Sequence, residues 1–184
     1  MQNQPVPKTV YATFSGNINQ ESLTRIFNNL GGATQQRVKT VHLLFESNGG
    51  VVSQGVALFN YLNTFPLDLH IYNVGGVSSA AVIAFLGAPH RYASARANFM
   101  IHLTRTVLPA PNDAATHRAV VANLEADDAR TEAILRERAN IPEDRLTARL
   151  THDVTITAQE ALAFGIIHEI REFHPPKDSQ VYNI

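Results

Sequence analysis

The sequence predicts an α/β protein built from successive strand-helix-strand units around a mostly parallel sheet. Three observations predict it. Strand-like and helix-like runs alternate strictly through the first half of the chain, the pattern that parallel crossover connections produce. The run Thr40–Phe45 is nearly continuously apolar, as are strands buried on both faces of a parallel sheet. Finally, 184 residues with 45% apolar content are enough for one domain with a full core.

The first element is a strand over Thr9–Phe14, where β-prone residues alternate and Ser15-Gly16 stops the run. Asn19-Gln20-Glu21-Ser22 then opens a helix with Leu23, Ile26, Phe27 and Leu30 on one face, and Gly31-Gly32 is expected to close it. After Thr40–Phe45 comes the glycine turn Glu46-Ser47-Asn48-Gly49-Gly50, a helix from about Ser53 to Asn63, and a strand over Leu67–Tyr72. A glycine-serine turn leads into a second, wholly apolar helix ending at Gly87, followed by short strands at Arg91–Ala93 and Asn98–His102. Leu108–Asp113 reads as an extended loop with two prolines.

The longest helical stretch spans Asp113–Asn140. Asn112 or Asp113 caps it, and its middle, Glu125–Arg130, is polar all round. Such a helix projects from the body or packs on another subunit. A short helix near Glu143–Leu150, the segment Thr151–Ile156, a helix over Ala158–Phe164 and a strand over Ile166–Ile170 complete the expected fold. The chain thus reads as one domain, 1–184, with a core from about 10 to 170 and a C-terminal tail, 171–184, expected to be a loose end.

Composition narrows the function classes. A formal net charge of −1 without a basic patch argues against nucleic acid or an anionic membrane surface as partner. The absence of cysteine excludes disulfides, thiolate nucleophiles and cysteine-ligated metals. The longest apolar run, Val74–Ala88, is broken by serines and too short to span a bilayer. Met1–Pro5 lacks a signal-peptide pattern, so a cytoplasmic location is expected.

The stretch Asn73–Gly87 carries the candidate chemistry. Gly75-Gly76 supplies a permissive turn, Ser78-Ser79 follows, and helix formers begin at Ala80. A serine hydroxyl there is either a helix cap or a nucleophile whose developing oxyanion faces unpaired N–H groups. The residues alone leave Ser78 and Ser79 both open. In a parallel sheet the functional groups gather beyond the carboxyl ends of the strands. Gly49-Gly50 and His102 occupy two more such ends, and Asp153 precedes a later element.

Taken together and in order, these segments resemble the proteolytic subunit of the Clp protease, a self-compartmentalised serine peptidase. Glu46-Ser47-Asn48-Gly49-Gly50-Val51-Val52 is similar to that family's Asn-Ser-Pro-Gly-Gly turn, with Asn48 in place of proline. Gly75-Gly76-Val77-Ser78-Ser79-Ala80-Ala81 resembles its nucleophile turn, and the spacing from the first glycine selects Ser79. Arg91 through Met100-Ile101-His102 resembles its Arg…Met-Ile-His segment. Asp153–Ala161 followed by Phe164-Gly165-Ile166-Ile167 resembles its Asp-x-Phe-x-Ser-x-x-Glu-Ala…Tyr-Gly-Leu-Ile end.

The resemblance implies a spiral of βαβ units, a fold shared with crotonases, with a projecting long helix. It implies hydrolysis of short peptides or unfolded proteins by a triad of Ser79, His102 and Asp153 inside an oligomeric chamber, with no metal or cofactor. Ala80 and Gly49 or Gly50 would donate to the oxyanion, and Val51, Val52 and the stretch Leu103, Thr104 and Arg105 would pair with an extended substrate. A homo-oligomeric, heptameric ring is implied, and a Clp-type ATPase is the implied partner. Few residues precede the first strand, so loose coupling to such an ATPase is expected. Two alternatives stand beside this reading: a ring-forming subunit without activity, and a crotonase-like acyl-CoA enzyme.

Overall fold

The computed structural model describes residues 8–107, 110 and 113–184. The expected loop at Leu108–Asp113 lies, apart from Ala110 and Asp113, outside the described residues, as does Met1–Pro7. In chain order the elements are β1 (Thr9–Ser15), α1 (Gln20–Gln35), β2 (Thr40–Glu46), α2 (Val52–Asn63), β3 (Asp68–Asn73), β4 (Gly76–Ser78) and α3 (Ala80–Leu86). They continue as β5 (His90–Ala93), β6 (Asn98–Ile101), α4 (Ala114–Arg138), α5 (Glu143–Ala148), β7 (Val154–Thr157), α6 (Ala158–Ala163), β8 (Glu169–Ile170) and β9 (Val181–Asn183).

Six strands form a parallel sheet in the order β8-β5-β3-β2-β1-β9. A smaller sheet, β4-β6-β7, pairs β4 with β6 in parallel and β6 with β7 antiparallel. The predicted α/β class with a long helix is therefore present. Its core is a single cluster in which Phe14, Phe45, Phe85 and Phe99 are fully buried.

Several local expectations are corrected. Helix α1 starts where expected, with Asn19 and Ser22 in a reciprocal capping box. It does not stop at Gly31-Gly32 but runs to Gln35. Buried Leu30 and the packing of Ala33 on the core outweigh the weak helix propensity of two glycines. Strand β2 is not buried on both faces: Val41, Leu43 and Phe45 are buried, whereas His42 and Leu44 are only half-covered.

Of the turn expected at Gly75-Gly76, Gly75 lies in a bend but Gly76 opens strand β4, and the left-handed backbone falls on Ser79. The tail is not a loose end. Strand β9 adds to the sheet beside β1, Ile184 is buried, and its N–H donates to Thr13 O at 2.9 Å. The strand expected at Ile166–Ile170 is shorter, with only Glu169–Ile170 pairing to β5.

Along the half-covered face of the large sheet, Tyr11, His42, His70 and His90 occupy matching positions on four adjacent strands. Their rings stack at centroid distances of 5.0, 4.6 and 4.5 Å. Burial, reinforced by the charge of His70, lowers the His42 pKa to about 4, so a neutral imidazole sits in the middle of this ladder at pH 7.

Arg91, buried at the start of β5, pins the sheet to the C-terminal elements. Its guanidinium donates to Ile166 O at 2.8 Å, Ala88 O at 3.0 Å and Gly165 O at 3.1 Å. Burial, with the charge of Arg138, pushes its pKa down to about 10, so it remains cationic at neutral pH. Arg91→Leu would leave these carbonyls unpaired. It is expected to cost about 3 kcal/mol or more in denaturant unfolding.

Candidate active site

The small sheet brings three chain segments to one place. Ser78 pairs with Met100 and Ile101 pairs with Val154. Ser79 therefore follows the end of β4, His102 follows the end of β6, and Asp153 precedes the antiparallel β7 beside that end. The antiparallel turn of β7 is what lets a residue 51 positions after His102 lie next to it. Position along the sequence hides this proximity, and strand register reveals it.

Ser79 is the N-cap of α3, yet its side chain makes no capping bond. Its backbone is held at φ 57, ψ −132, with the N–H bonded to Met100 O at 2.8 Å. A non-glycine residue in such a conformation stores about 1–3 kcal/mol, and such strain clusters at functional sites. The capping reading of this serine is thereby removed. Ser78, by contrast, is an ordinary strand residue whose N–H donates to Ser47 O at 2.9 Å.

The glycine turn between β2 and α2 lies directly over Ser79. Ile18 N–H donates to Gly49 O at 2.8 Å and Val51 N–H donates to Ile18 O at 2.9 Å, clamping the turn. Gly49 has φ +93, and a Cβ there would stand 2.7 Å from Ser79 Cβ and 3.1 Å from Ala80 N. Gly50 has φ +149, and a Cβ would stand 2.2 Å from Ile18 O. Only glycine fits either position.

The Gly49 N–H is taken by Ser47 Oγ at 3.1 Å. No acceptor is paired with the Gly50 N–H among the described residues. Ala80, first in α3, has an N–H without an intrahelical acceptor. Among the described residues, Gly50 and Ala80 both carry unpaired N–H groups, and both line one pocket with Ser79.

A single pocket is lined by Gly50, Val52, Ser79, Ala80, His102, Thr104, Arg105 and buried Arg149, among others. Ser79 and His102 therefore share one cavity. Asp153 lies outside its lining and is ion-paired with Arg105. The His102 ring turns its Nδ1 to Leu103 O at 2.5 Å. Among the described residues, no hydrogen bond joins Ser79 Oγ to His102 or His102 to Asp153. The three residues converge, but their side chains are not linked.

A groove adjoins the pocket, running between the glycine turn and α4. Asn48, Gly49, Gly50, Val51, Val52, Thr104, Leu124 and Asp127 line it. Val51 is half exposed there, and Thr104 N–H is anchored to Asp128 Oδ1 of α4 at 2.7 Å. Leu103 lines neither cavity and contributes its carbonyl to His102.

Two residues at the site, Asp128 and Arg149, escaped the sequence reading, as did the ion pair of Arg105 with Asp153. Arg149 bonds Leu146 O at 3.0 Å and pairs with Glu132 of α4, which fixes the pocket floor. Arg105 is expected along the substrate; a cation three residues after a candidate histidine gives no signal that it pairs with Asp153.

The family model described as Clp protease matches residues 7–174 of the chain. This chain belongs to the Clp protease family. It is 28% identical over 140 residues to the ATP-dependent Clp protease proteolytic subunits of Streptococcus equi subsp. equi and Streptococcus equi subsp. zooepidemicus, covering 75% of this chain and 71% of each relative. Among solved structures it is similar to a point mutant of ClpP1 from Listeria monocytogenes. The TM-score is 0.75 at 21% identity, over 91% of this chain and 92% of that one, a likeness of fold. The resemblance read from four sequence segments is shown. No helix among the described residues is long and apolar enough to cross a membrane.

Proposed function

We propose that this chain is a serine endopeptidase of the Clp proteolytic-subunit type. The observation that carries the reading is the strained Ser79 backbone flanked by the free Gly50 and Ala80 N–H groups. In this mechanism Ser79 Oγ attacks a peptide carbonyl and His102 accepts its proton. The two N–H groups hold the oxyanion, and His102 then returns the proton to the leaving amine. An extended peptide lies in the groove along Val51, Val52 and Thr104, held mainly by backbone pairing, so cleavage specificity is broad.

For catalysis the His102 ring must leave Leu103 O and present Nδ1 to Asp153, which Arg105 must release. That ion pair joins side chains 63% and 43% exposed. Pairs so exposed contribute about 0–1 kcal/mol, so the rearrangement is inexpensive beside a triad's contribution of several kcal/mol. Arg105→Ala is expected to leave kcat/KM unchanged or raise it by up to about fivefold. Asp153→Asn is expected to lower it by about 10⁴-fold. A large loss in Arg105→Ala would show that the arginine serves the reaction instead of competing for Asp153.

The exposed first half of α4 fits a homo-oligomeric ring, as does the word "subunit" in the relatives' names. Only Thr131, Ile134 and Leu135 of this helix are buried, while Val121 and, beyond it, Leu150 stand exposed. A ring-building subunit without activity is the second reading, favoured by the unlinked triad. Hydrolysis of a fluorogenic peptide and of unfolded casein, assayed on the assembled protein, decides between them. Running the assay with and without a Clp-type ATPase and ATP separates unassisted peptide cleavage from the ATP dependence in the relatives' name. No hydrolysis under any of these conditions would leave the second reading.

A further inference from the structure

We infer that Asp68, His70 and His90 form a binding site for a divalent transition metal of the zinc class, at the opposite end of the large sheet from Ser79. The placement follows from strand geometry. Asp68 and His70 lie two residues apart on β3, so they share one face. His90 opens β5 directly beside His70 in the parallel ladder. These residues lie at the starts of their strands, whereas the peptidase site lies beyond the strand ends.

The two imidazoles already gather on the Asp68 carboxylate. His70 Nε2 lies 3.1 Å from Asp68 Oδ2, and His90 Nε2 lies 3.0 Å from Asp68 Oδ1. All three ligand atoms fall within 4.8 Å of one another. Neighbouring ligands on a four-coordinate zinc with bonds of about 2.0–2.1 Å are about 3.3 Å apart. Each nitrogen stands near that distance from the Asp68 carboxylate, His70 from Oδ2 and His90 from Oδ1. Bringing both imidazoles and one carboxylate oxygen onto a single ion requires Asp68 and His90 to turn, and their side chains are about half exposed.

The donor chemistry selects the metal. Two imidazoles and a carboxylate suit zinc, copper or nickel, whereas calcium and magnesium require oxygen ligands. One carboxylate leaves a net positive charge at the bound ion, and the exposed side of the cluster leaves coordination positions for water or an incoming ligand.

The support around His70 fits a ligand role. With a metal on Nε2 the ring proton resides on Nδ1, which faces Tyr92 Oη at 3.1 Å. The Tyr92 ring is itself held by stacking on Tyr72 at 4.8 Å. His42 repeats the arrangement, with Nδ1 at 2.8 Å from Tyr72 Oη. A hydrogen-bonded partner of this kind fixes the tautomer and ring plane of a metal-binding histidine.

The test is equilibrium dialysis with ZnCl₂ on the assembled protein, paired with thermal unfolding. The native chain is expected to bind one more Zn²⁺ than His90→Gln or Asp68→Asn, and to show a metal-dependent rise in Tm that both variants lack. Both changes are at half-exposed positions remote from Ser79, so peptidase activity without added metal is expected to be unchanged. Tyr92→Phe is expected to keep the site but weaken it by about 10-fold. Equal zinc stoichiometry in the native chain, His90→Gln and Asp68→Asn would overturn the assignment. So would a native chain whose Tm does not respond to zinc.

Discussion

Ser79→Ala is expected to lower kcat for peptide cleavage by on the order of 10⁴-fold or more, with unfolding close to that of the native chain. The hydroxyl makes no capping bond to α3, so its removal costs the helix nothing. The same change at Ser78 is expected to alter kcat by less than about tenfold, a difference of about 1.4 kcal/mol. The contrast between adjacent serines is the informative part. A general loss of packing would move both variants together, whereas a nucleophile at the strained position moves only one. Equal loss in the two variants would point to a structural role for the pair.

The second large effect is expected at the glycine turn. Gly50→Ala places a methyl group 2.2 Å from the Ile18 carbonyl and asks alanine to adopt φ +149. Either the turn moves off Ile18 or the loop that carries Ile18 moves off the turn, and both displace the Gly50 N–H from Ser79. Loss of one oxyanion donor reduces kcat by about 10²–10³-fold. Backbone strain of about 1–3 kcal/mol, plus the clash, is expected to lower Tm by about 5–15 °C. Gly31→Ala is the control. Nothing lies within 4 Å of its added methyl in α1, so that variant is expected to gain up to about 1 kcal/mol. A Gly50→Ala enzyme of native activity would remove this amide from the oxyanion site.

Much of the fold was legible because local signals and tertiary context agree. The alternation of β1, α1, β2, α2 and β3 follows directly from hydrophobic periodicity, and Asn19 and Asp113 cap their helices as their side chains predict. Context decided where the reading failed. Leu30 and Ala33 carry α1 through two glycines, and the tail becomes β9 because the open edge of β1 accepts it. No periodicity in three residues, Val181–Asn183, could announce that pairing.

The site divides in the same way. Ser79, Gly49, Gly50 and Ala80 belong to turns whose composition is distinctive, so they could be proposed in advance. The pairing of Arg105 with Asp153 could not, because it depends on the β6-β7 register and on a loop conformation that no spacing encodes. Asp68, His70 and His90 were passed over because each looks ordinary in its own strand. They form a cluster only once β3 and β5 lie side by side.

The central claim is that Ser79 is an activated nucleophile. Reaction of the assembled protein with a fluorophosphonate, followed by peptide mapping by mass spectrometry, tests it most directly. One adduct per chain is expected on Ser79, absent in Ser79→Ala and strongly slowed in His102→Ala. An adduct on Ser78, or a chain that cleaves peptides while Ser79 stays unlabelled, would contradict it.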